Sequence, residues 1–164
     1  MNAPVTSRRK GAPPAGSDDP LRLDLQLCFA LYAAASDLVR LYRPHLEPLG
    51  LTYPQYLVML VLWEEAPRSV GDLGARLGLD SATLTPLLKR LEGRGLVTRT
   101  RDPRDERRVL VAPSATGKAM KAKAARVPGA VSCRIPLPIS ELAELRDEVK
   151  RLRAALAEAG RAGP

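Results

Sequence analysis

The chain has 164 residues, enough for one domain, and a formal net charge of +8 at pH 7. This excess of Lys and Arg favours a polyanionic partner, first nucleic acid and second an anionic membrane surface. Aromatic residues make up only 4% of the chain, which disfavours a protein that stacks single-stranded bases on its rings. One His and two Cys exclude a zinc site of four Cys or His ligands, so we expect no metal and no cofactor.

The sequence predicts a cytoplasmic protein without a membrane span. It has no run of 18 apolar residues, and its first 20 residues lack the apolar segment of a signal peptide. Both cysteines are therefore expected to be reduced, and any disulfide to be transient. Residues 1–20 are rich in Pro, Gly, Ala and Ser and predict a disordered tail before a single domain over residues 21–164.

A long helical pattern begins at Leu21 and ends near Pro44 and Pro48, with Gly50 as its stop. His45, the only candidate base for a Ser-His-Asp triad, is interpreted as a surface residue of this helix. Two apolar rows cover most of the circumference, so we expect the helix to be buried on two sides. The rows are Cys28, Tyr32, Ala35, Val39, Tyr42 and Leu23, Leu27, Leu31, Ala34, Leu38, Leu41.

Three further helices and a β-hairpin follow in chain order. Capping residues and glycine stops mark the helices, and a change to a period of two marks the hairpin. Two short helices joined by a glycine-containing turn and followed by a hairpin form a winged helix-turn-helix. The predicted elements are a helix through Glu65 capped by Thr52 and Gln55, Val70–Leu77 capped by Ser69, a helix from Asp80 or Ser81 to about Gly93, and strands Leu96–Arg101 and Arg107–Ala112.

Positive charge is concentrated on the second short helix and the hairpin. Between Leu84 and Arg108 there are eight basic and four acidic residues. The resulting charge of +4 is half of the net charge of the chain. Small side chains near the start of that helix suit base edges in the major groove of double-stranded DNA. Hairpin arginines suit a narrow minor groove. The candidates are Ser81, Thr83, Thr85 and Pro86 for bases, Lys89 and Arg90 for phosphates, and Arg104 and Arg107 for the minor groove.

The C-terminal part predicts a dimer. A helix from Ser114 to about Val127, a proline-containing connection over Pro128–Pro138 and a last helix over about Ser140–Ala159 are expected. Apolar residues of the last helix follow a heptad seam, which favours a homodimer on a palindromic operator over packing within one chain. We therefore predict a mainly α-helical winged helix-turn-helix protein with a small hairpin wing, a DNA-binding core over about 53–112, and dimerisation helices over about 21–50 and 140–160.

Cys28 has two interpretations, a small buried apolar residue or a redox-sensitive thiol. It shares a helical face with Tyr32, one turn on, whose hydroxyl could hydrogen-bond a thiolate or sulfenate. Cys28 lies about two turns into the predicted helix, beyond the strongest effect of the helix dipole. Tyr42 is 14 residues away, roughly 21 Å along a straight helix, so it could serve this thiol only from a partner subunit.

Several motifs carry a resemblance to a known family. The segments QLCFALY, TYPQYLVMLVLWE and LDSATLTPLLKRLE, with the wing sequence DPRDERR, closely resemble organic hydroperoxide resistance regulators of the MarR family, from about Leu21 to Lys118 and more weakly through the last helix. The resemblance implies a dimeric repressor that leaves its operator when an organic hydroperoxide oxidises a cysteine.

The resemblance also implies roles for individual residues. Cys28 matches the reactive cysteine, and Tyr42 and Tyr53 match tyrosines that reach it from the partner subunit. In the wing, Arg107 matches the minor-groove arginine and Asp105 its supporting acid. Cys133 matches the resolving thiol of two-cysteine members, although a second cysteine in such a loop could be incidental.

Three alternatives remain open from the sequence. A related regulator could be released by a small aromatic ligand without thiol chemistry. A thiol peroxidase would need polar activators around its cysteine, and none beyond tyrosines is evident. An architectural DNA-binding protein would show weak sequence preference and no response to oxidant.

Overall fold

The computed structural model describes residues 19–162, so residues 1–18 of the predicted tail lie outside the described residues. The chain divides into two compact units with the boundary after Ser36, and the predicted single domain over 21–164 stays a prediction. The described elements are α1 Leu27–Leu46, α2 Tyr53–Glu64, β1 Arg68–Ser69, α3 Val70–Leu77, α4 Ser81–Gly93, β2 Val97–Asp102, β3 Asp105–Pro113, α5 Ala115–Ala124, α6 Val127–Ser132 and α7 Ile139–Ala162.

The first helix differs from its prediction in its start and its burial. A 3-10 turn occupies Leu23–Leu25, so α1 begins at Leu27 instead of Leu21. Leu46 is its only fully buried residue, and the predicted burial on two sides is wrong for the single chain. Apolar side chains such as Leu27, at 61% exposure, and Leu38, at 42%, face solvent.

The C-terminal end of α1 also corrects the interpretation of His45. Pro44 lies inside the helix, and Gly50 ends the following 3-10 turn with a positive φ of 64°. His45 is half-buried instead of lying on the surface, and its Nε2 atom is buried without a hydrogen-bond partner.

The predicted caps of the helix-turn-helix are confirmed. Thr52 and Gln55 form a reciprocal capping box at α2, with Pro54 in the first turn, and Ser69 forms one with Asp72 at α3. Gly78 ends α3 with a φ of 68°, a conformation that favours glycine. The Asp80 carboxylate caps α4 by accepting the Thr83 N–H at 2.7 Å.

One core holds the helix-turn-helix and the sheet together. The buried side of α4 contributes Leu84, Leu88 and Leu91, at the spacing of one helical face. They belong to one buried cluster with Leu73 of α3 and with residues of α2. Packing of this face leaves the opposite side of α4 toward solvent.

The sheet is a hairpin with one extra strand. Strands β2 and β3 pair antiparallel from Val97 opposite Pro113 to Asp102 opposite Asp105. The two-residue strand β1 adds to the other edge of β3, which the sequence analysis did not predict. Its two residues are too few to show the alternation of apolar and polar side chains that marks a strand. Their partners on β3 lie about 40 positions away along the chain.

The region after the wing contains a helix where a connection was predicted. Residues 127–132 form α6, which corrects the proline-containing connection expected over Pro128–Pro138. Pro128 lies in the first turn, where its missing N–H costs no helical hydrogen bond, and Val127 and Val131 are both buried. Cys133 is the C-terminal cap of this helix, so it does not lie within an extended loop.

Helix α7 carries the predicted heptad seam, but the seam is largely uncovered. Leu145, Val149 and Leu156 are 55%, 41% and 61% exposed. No helix within residues 19–162 is long and apolar enough to cross a membrane.

Candidate functional site: DNA interface and cysteines

The exposed side of α4 presents most of the predicted base-contacting residues. Ser81, Thr83 and Pro86 are exposed. Thr85 differs, because it is half-buried and its hydroxyl donates a hydrogen bond to the Ser81 carbonyl at 2.7 Å. Its methyl group therefore remains the more available part for a contact with a base.

Half of the basic cluster between Leu84 and Arg108 stabilises the fold. Arg94 binds the carbonyl oxygens of Gly50 and Leu49, and Arg99 Nε donates to Glu92 Oε2 at 2.8 Å. The other two engaged residues are Arg101, which donates to the Glu106 carbonyl, and Arg108, which pairs with Asp72 at 3.3 Å.

The side chains of the other four basic residues make no hydrogen bond or ion pair with any residue in the 19–162 range. All four are exposed, and all four were predicted to contact DNA. Their charges are therefore available to phosphate oxygens or to a groove. They are Lys89 and Arg90 on α4, Arg104 in the hairpin turn and Arg107 on β3.

Two aspartates shape the wing tip. Asp102 Oδ1 accepts the Arg104 N–H at 2.9 Å, and Asp105 Oδ1 accepts the Arg107 N–H at 3.1 Å. Such two-residue side-chain-to-backbone bonds fix turns. The acid at position 105 thus fixes the backbone of Arg107 and leaves the guanidinium group to interact outside the chain.

We expect protonation of the Asp80 cap to destabilise the protein. Its hydrogen bond from the Thr83 backbone lowers the pKa of Asp80 below 3.8. The cap therefore stabilises the protein fully above pH 3.8, the ordinary pKa of the group. This stabilisation is lost as the pH falls through the lower pKa that Asp80 has in the folded protein. The urea midpoint should fall as the pH drops below about 4. Asp80→Asn, which retains a capping side chain, should show a shallower fall, and an equal fall would contradict this role of Asp80.

The two cysteines are both exposed free thiols. Cys28 is the second residue of α1, which corrects its predicted place two turns into the helix. The exposure of both sulfurs in the single chain disagrees with the interpretation of Cys28 as a buried apolar residue.

The candidate tyrosines fall in different parts of the chain. Cys28 and Tyr32, which is 72% exposed, belong to the first unit, whereas Tyr42, Tyr53 and Cys133 belong to the second. The ring centroids of Tyr42 and Tyr53 are 5.0 Å apart. Burial raises the pKa of both phenols, so they remain protonated donors at neutral pH.

Tyr56 is a third member of this aromatic cluster and was missed from the sequence. Its ring centroid is 6.0 Å from that of Tyr42, and its hydroxyl is buried without a hydrogen-bond partner among the described residues. Burial, followed by the nearby phenols, raises the pKa of Tyr56 to about 12. The three-residue spacing from Tyr53 on α2 was the available signal, because it places both rings on one helical face.

Comparison with known proteins identifies relatives for most of the chain. Residues 51–109 match the model of the MarR family. The HTH-type transcriptional regulator TtmR of Methylorubrum extorquens is 50% identical over 84% of this chain and 71% of its own length. The organic hydroperoxide resistance transcriptional regulator of Bacillus subtilis is 43% identical over 84% of this chain and 89% of its own length.

Solved structures give the same fold in a DNA-bound protein. Reduced AbfR bound to DNA has a TM-score of 0.75 and 34% identity, over 87% of this chain and 97% of that one. A disulfide-formed AbfR matches with a TM-score of 0.58 and 38% identity, over 79% of this chain and 91% of that one. AbfR is a protein of Staphylococcus epidermidis.

Proposed function

This chain belongs to the MarR family of DNA-binding transcriptional regulators, in its organic hydroperoxide resistance branch, and we propose that it is a dimeric repressor switched by oxidation of Cys28. The observation that carries the proposal is the exposed Cys28 sulfur in the first turn of α1. It belongs to a chain that is 43% identical to a regulator of organic hydroperoxide resistance.

The first chemical step oxidises one sulfur and reduces one peroxide. The Cys28 thiolate attacks the outer oxygen of the hydroperoxide, the O–O bond breaks, and the product alkoxide takes a proton to leave as an alcohol. Cys28 is then a sulfenic acid. The phenols of Tyr42 and Tyr53 from the partner subunit donate hydrogen bonds to the thiolate and then to the sulfenate.

The second step forms a disulfide between subunits. The Cys133 thiol of the partner subunit attacks the Cys28 sulfenic acid, an S–S bond forms, and water leaves. A dithiol reductant then reduces this disulfide to the two cysteine thiols by thiol–disulfide exchange and is itself oxidised to a disulfide.

Release of DNA follows from the geometry of a dimer. Two copies of α4 read two half-sites about one helical turn apart. A covalent link between α1 of one subunit and the α6 region of the other rotates the two winged units, so both helices no longer fit their grooves together. Affinity then falls because two-site binding is lost.

A gel shift on a palindromic operator tests the proposed function. We expect a shifted complex with reduced protein, loss of that complex with cumene hydroperoxide, and its return after dithiothreitol. A complex that is indifferent to the hydroperoxide would contradict the proposal, and so would one that dithiothreitol does not restore.

For the resolving role, we expect Cys133→Ser to abolish a covalent dimer. Oxidised wild-type protein should run as a disulfide-linked dimer on a non-reducing denaturing gel, and the variant as a monomer. The neighbouring half-buried Ser132→Ala is the matched control and should still give the dimer. A variant that still links, or a wild-type protein that never does, would remove Cys133 from the mechanism.

A further inference from the structure

The Tyr56 hydroxyl is a buried polar group that the single chain leaves unused. Tyr56 is only 2% exposed and belongs to the buried core cluster. Within residues 19–162 no group makes a hydrogen bond with its hydroxyl. Burial without a hydrogen bond costs free energy, and phenylalanine would fill the same space without that cost. Because buried polar groups are normally hydrogen-bonded, we expect this hydroxyl to gain a partner in another state of the protein.

Two aromatic rings pack against Tyr56, and they differ in what they can accept. Trp63 lies at a centroid distance of 6.5 Å, but an indole is a donor only, and its Nε1 already donates to the Gly117 carbonyl at 2.9 Å. Tyr42 lies at 6.0 Å, and its phenol oxygen can accept. In the described part of the chain the Tyr42 hydroxyl makes no hydrogen bond either. Tyr42 is therefore the acceptor that the cluster offers to Tyr56.

The electrostatics of the cluster make Tyr56 the donor of this pair. Burial, followed by the neighbouring phenols of Tyr42 and Tyr53, raises the pKa of Tyr56 to about 12, whereas burial alone raises the pKa of Tyr42. Tyr56 therefore keeps its proton throughout the neutral range. Tyr42 is half-buried and Tyr56 is buried, so Tyr42 is the one of the two that a group outside the chain can contact.

The proposed function gives Tyr42 a partner of its own, and the present inference rests on it. In that function, Tyr42 donates a hydrogen bond to the thiolate or sulfenate of Cys28 of the partner subunit. A phenol oxygen can accept one hydrogen bond while its own proton is donated. Donation to an anion makes that oxygen a better acceptor, because hydrogen bonds in a chain polarise one another. A bond from Tyr56 to Tyr42 is therefore strongest when the sulfur is charged, which agrees with its absence from the single chain.

We propose that Tyr56 is a positioning residue of the peroxide-sensing site. Its hydroxyl donates a hydrogen bond to the Tyr42 phenol oxygen, and Tyr42 donates to the sulfur of Cys28 of the partner subunit, an arrangement here called the two-phenol relay. The first bond fixes the rotation of the Tyr42 hydroxyl so that its hydrogen points to the sulfur. The relay also stabilises the thiolate, so a larger fraction of this thiol is ionised at a given pH. No proton is transferred, and the oxidation remains the two-electron step described above.

Tyr56→Phe tests the two-phenol relay, because it removes one hydroxyl and leaves the ring in place. The rate at which cumene hydroperoxide consumes the Cys28 thiol is measured against pH in the full-length, reduced protein carrying Cys133→Ser, which leaves Cys28 as the only thiol. Unreacted thiol is counted by alkylation and mass spectrometry. We expect the rate profile of Tyr56→Phe to move toward higher pH by about half a unit, so that oxidation at a pH below the midpoint is about threefold slower.

Two further variants show whether the effect passes through Tyr42. In a Tyr42→Phe background, Tyr56→Phe should not move the profile further, because the relay has already lost its acceptor. Met59→Leu is the matched control, since Met59 is fully buried on the same helix and the change conserves volume, and it should retain the wild-type profile. An unmoved Tyr56→Phe profile would overturn the proposal. So would an equal shift in the Tyr42→Phe background, or an equal shift from Met59→Leu.

Urea unfolding gives a second readout, which does not depend on peroxide. In a Cys28→Ala protein the relay has no sulfur to serve, so Tyr56→Phe should leave the urea midpoint unchanged or raise it. A lower midpoint would show that the hydroxyl has a partner unrelated to the sulfur and would contradict the proposal.

The relay and the proposed function fail in different ways. A wild-type Cys28 that does not react with the hydroperoxide would overturn the proposed function, and the relay with it. A Cys28 that reacts with the same pH profile in the wild-type and Tyr56→Phe proteins would overturn the relay alone.

Discussion

The Cys28→Ser variant should bind the operator as reduced wild-type protein does and stay bound in cumene hydroperoxide. Serine retains the size of the side chain at an exposed position, so we expect the affinity without oxidant to stay within about threefold. The hydroxyl cannot form a sulfenic acid, so the switch has no first step. Under the same oxidant the wild-type protein should lose at least roughly tenfold in affinity, about 1.4 kcal/mol.

Fluorescence anisotropy with a labelled palindromic duplex, with and without the hydroperoxide, measures both parts of this prediction. Ser132→Ala is a control that substitutes the neighbour of Cys133 and leaves both thiols in place, and it should respond as the wild type does. Release of Cys28→Ser by the hydroperoxide would place the sensor elsewhere. Release of the same variant only by a small aromatic compound would favour the regulator class that works without thiol chemistry.

Arg107→Ala should weaken operator binding by about 1–3 kcal/mol. Arg107 is exposed on β3, and only its backbone N–H is engaged, by Asp105. The proposed groove contact of the guanidinium group therefore breaks no internal ion pair, and the substitution should remove that contact from each half-site. Anisotropy titrations at several salt concentrations measure both the affinity and its salt dependence.

Two matched substitutions separate this contact from general charge and from folding. Lys118→Ala removes one positive charge from α5, outside the wing, and should change affinity by less than about twofold at moderate salt. Arg108→Ala removes an arginine already paired with Asp72 and should affect binding less than Arg107→Ala does. Equal losses of affinity in all three variants would show that Arg107 contributes to binding only through the net charge of the protein.

Local signals explain why the DNA-binding part was predictable. The capping boxes at Thr52 and Ser69 and the stop at Gly78 depend on residues within one helical turn, and these set the bounds of α2 and α3. The alternation of the hairpin is equally local. The placement of Ser81 and Lys89 on an exposed helix side followed directly from these bounds.

The errors came from contacts between distant residues and from one proline. Whether an arginine of the basic cluster is engaged within the chain depends on partners such as Gly50, 44 positions from Arg94, or Asp72, 36 positions from Arg108. No local pattern reveals these two engagements. Pro128 was interpreted as interrupting helical structure, whereas it lies in the first turn of α6, because proline is tolerated in a first turn and disfavoured only further along.

The bond from Arg94 to the Leu49 and Gly50 carbonyl oxygens has a mechanical consequence. Arg94 directly follows α4, and Gly50 ends the turn that follows α1. The guanidinium group therefore connects the turn after α1 directly to the C-terminal end of α4. In the proposed switch, a displacement of that turn would act on α4 through these two hydrogen bonds and not only through the intervening chain.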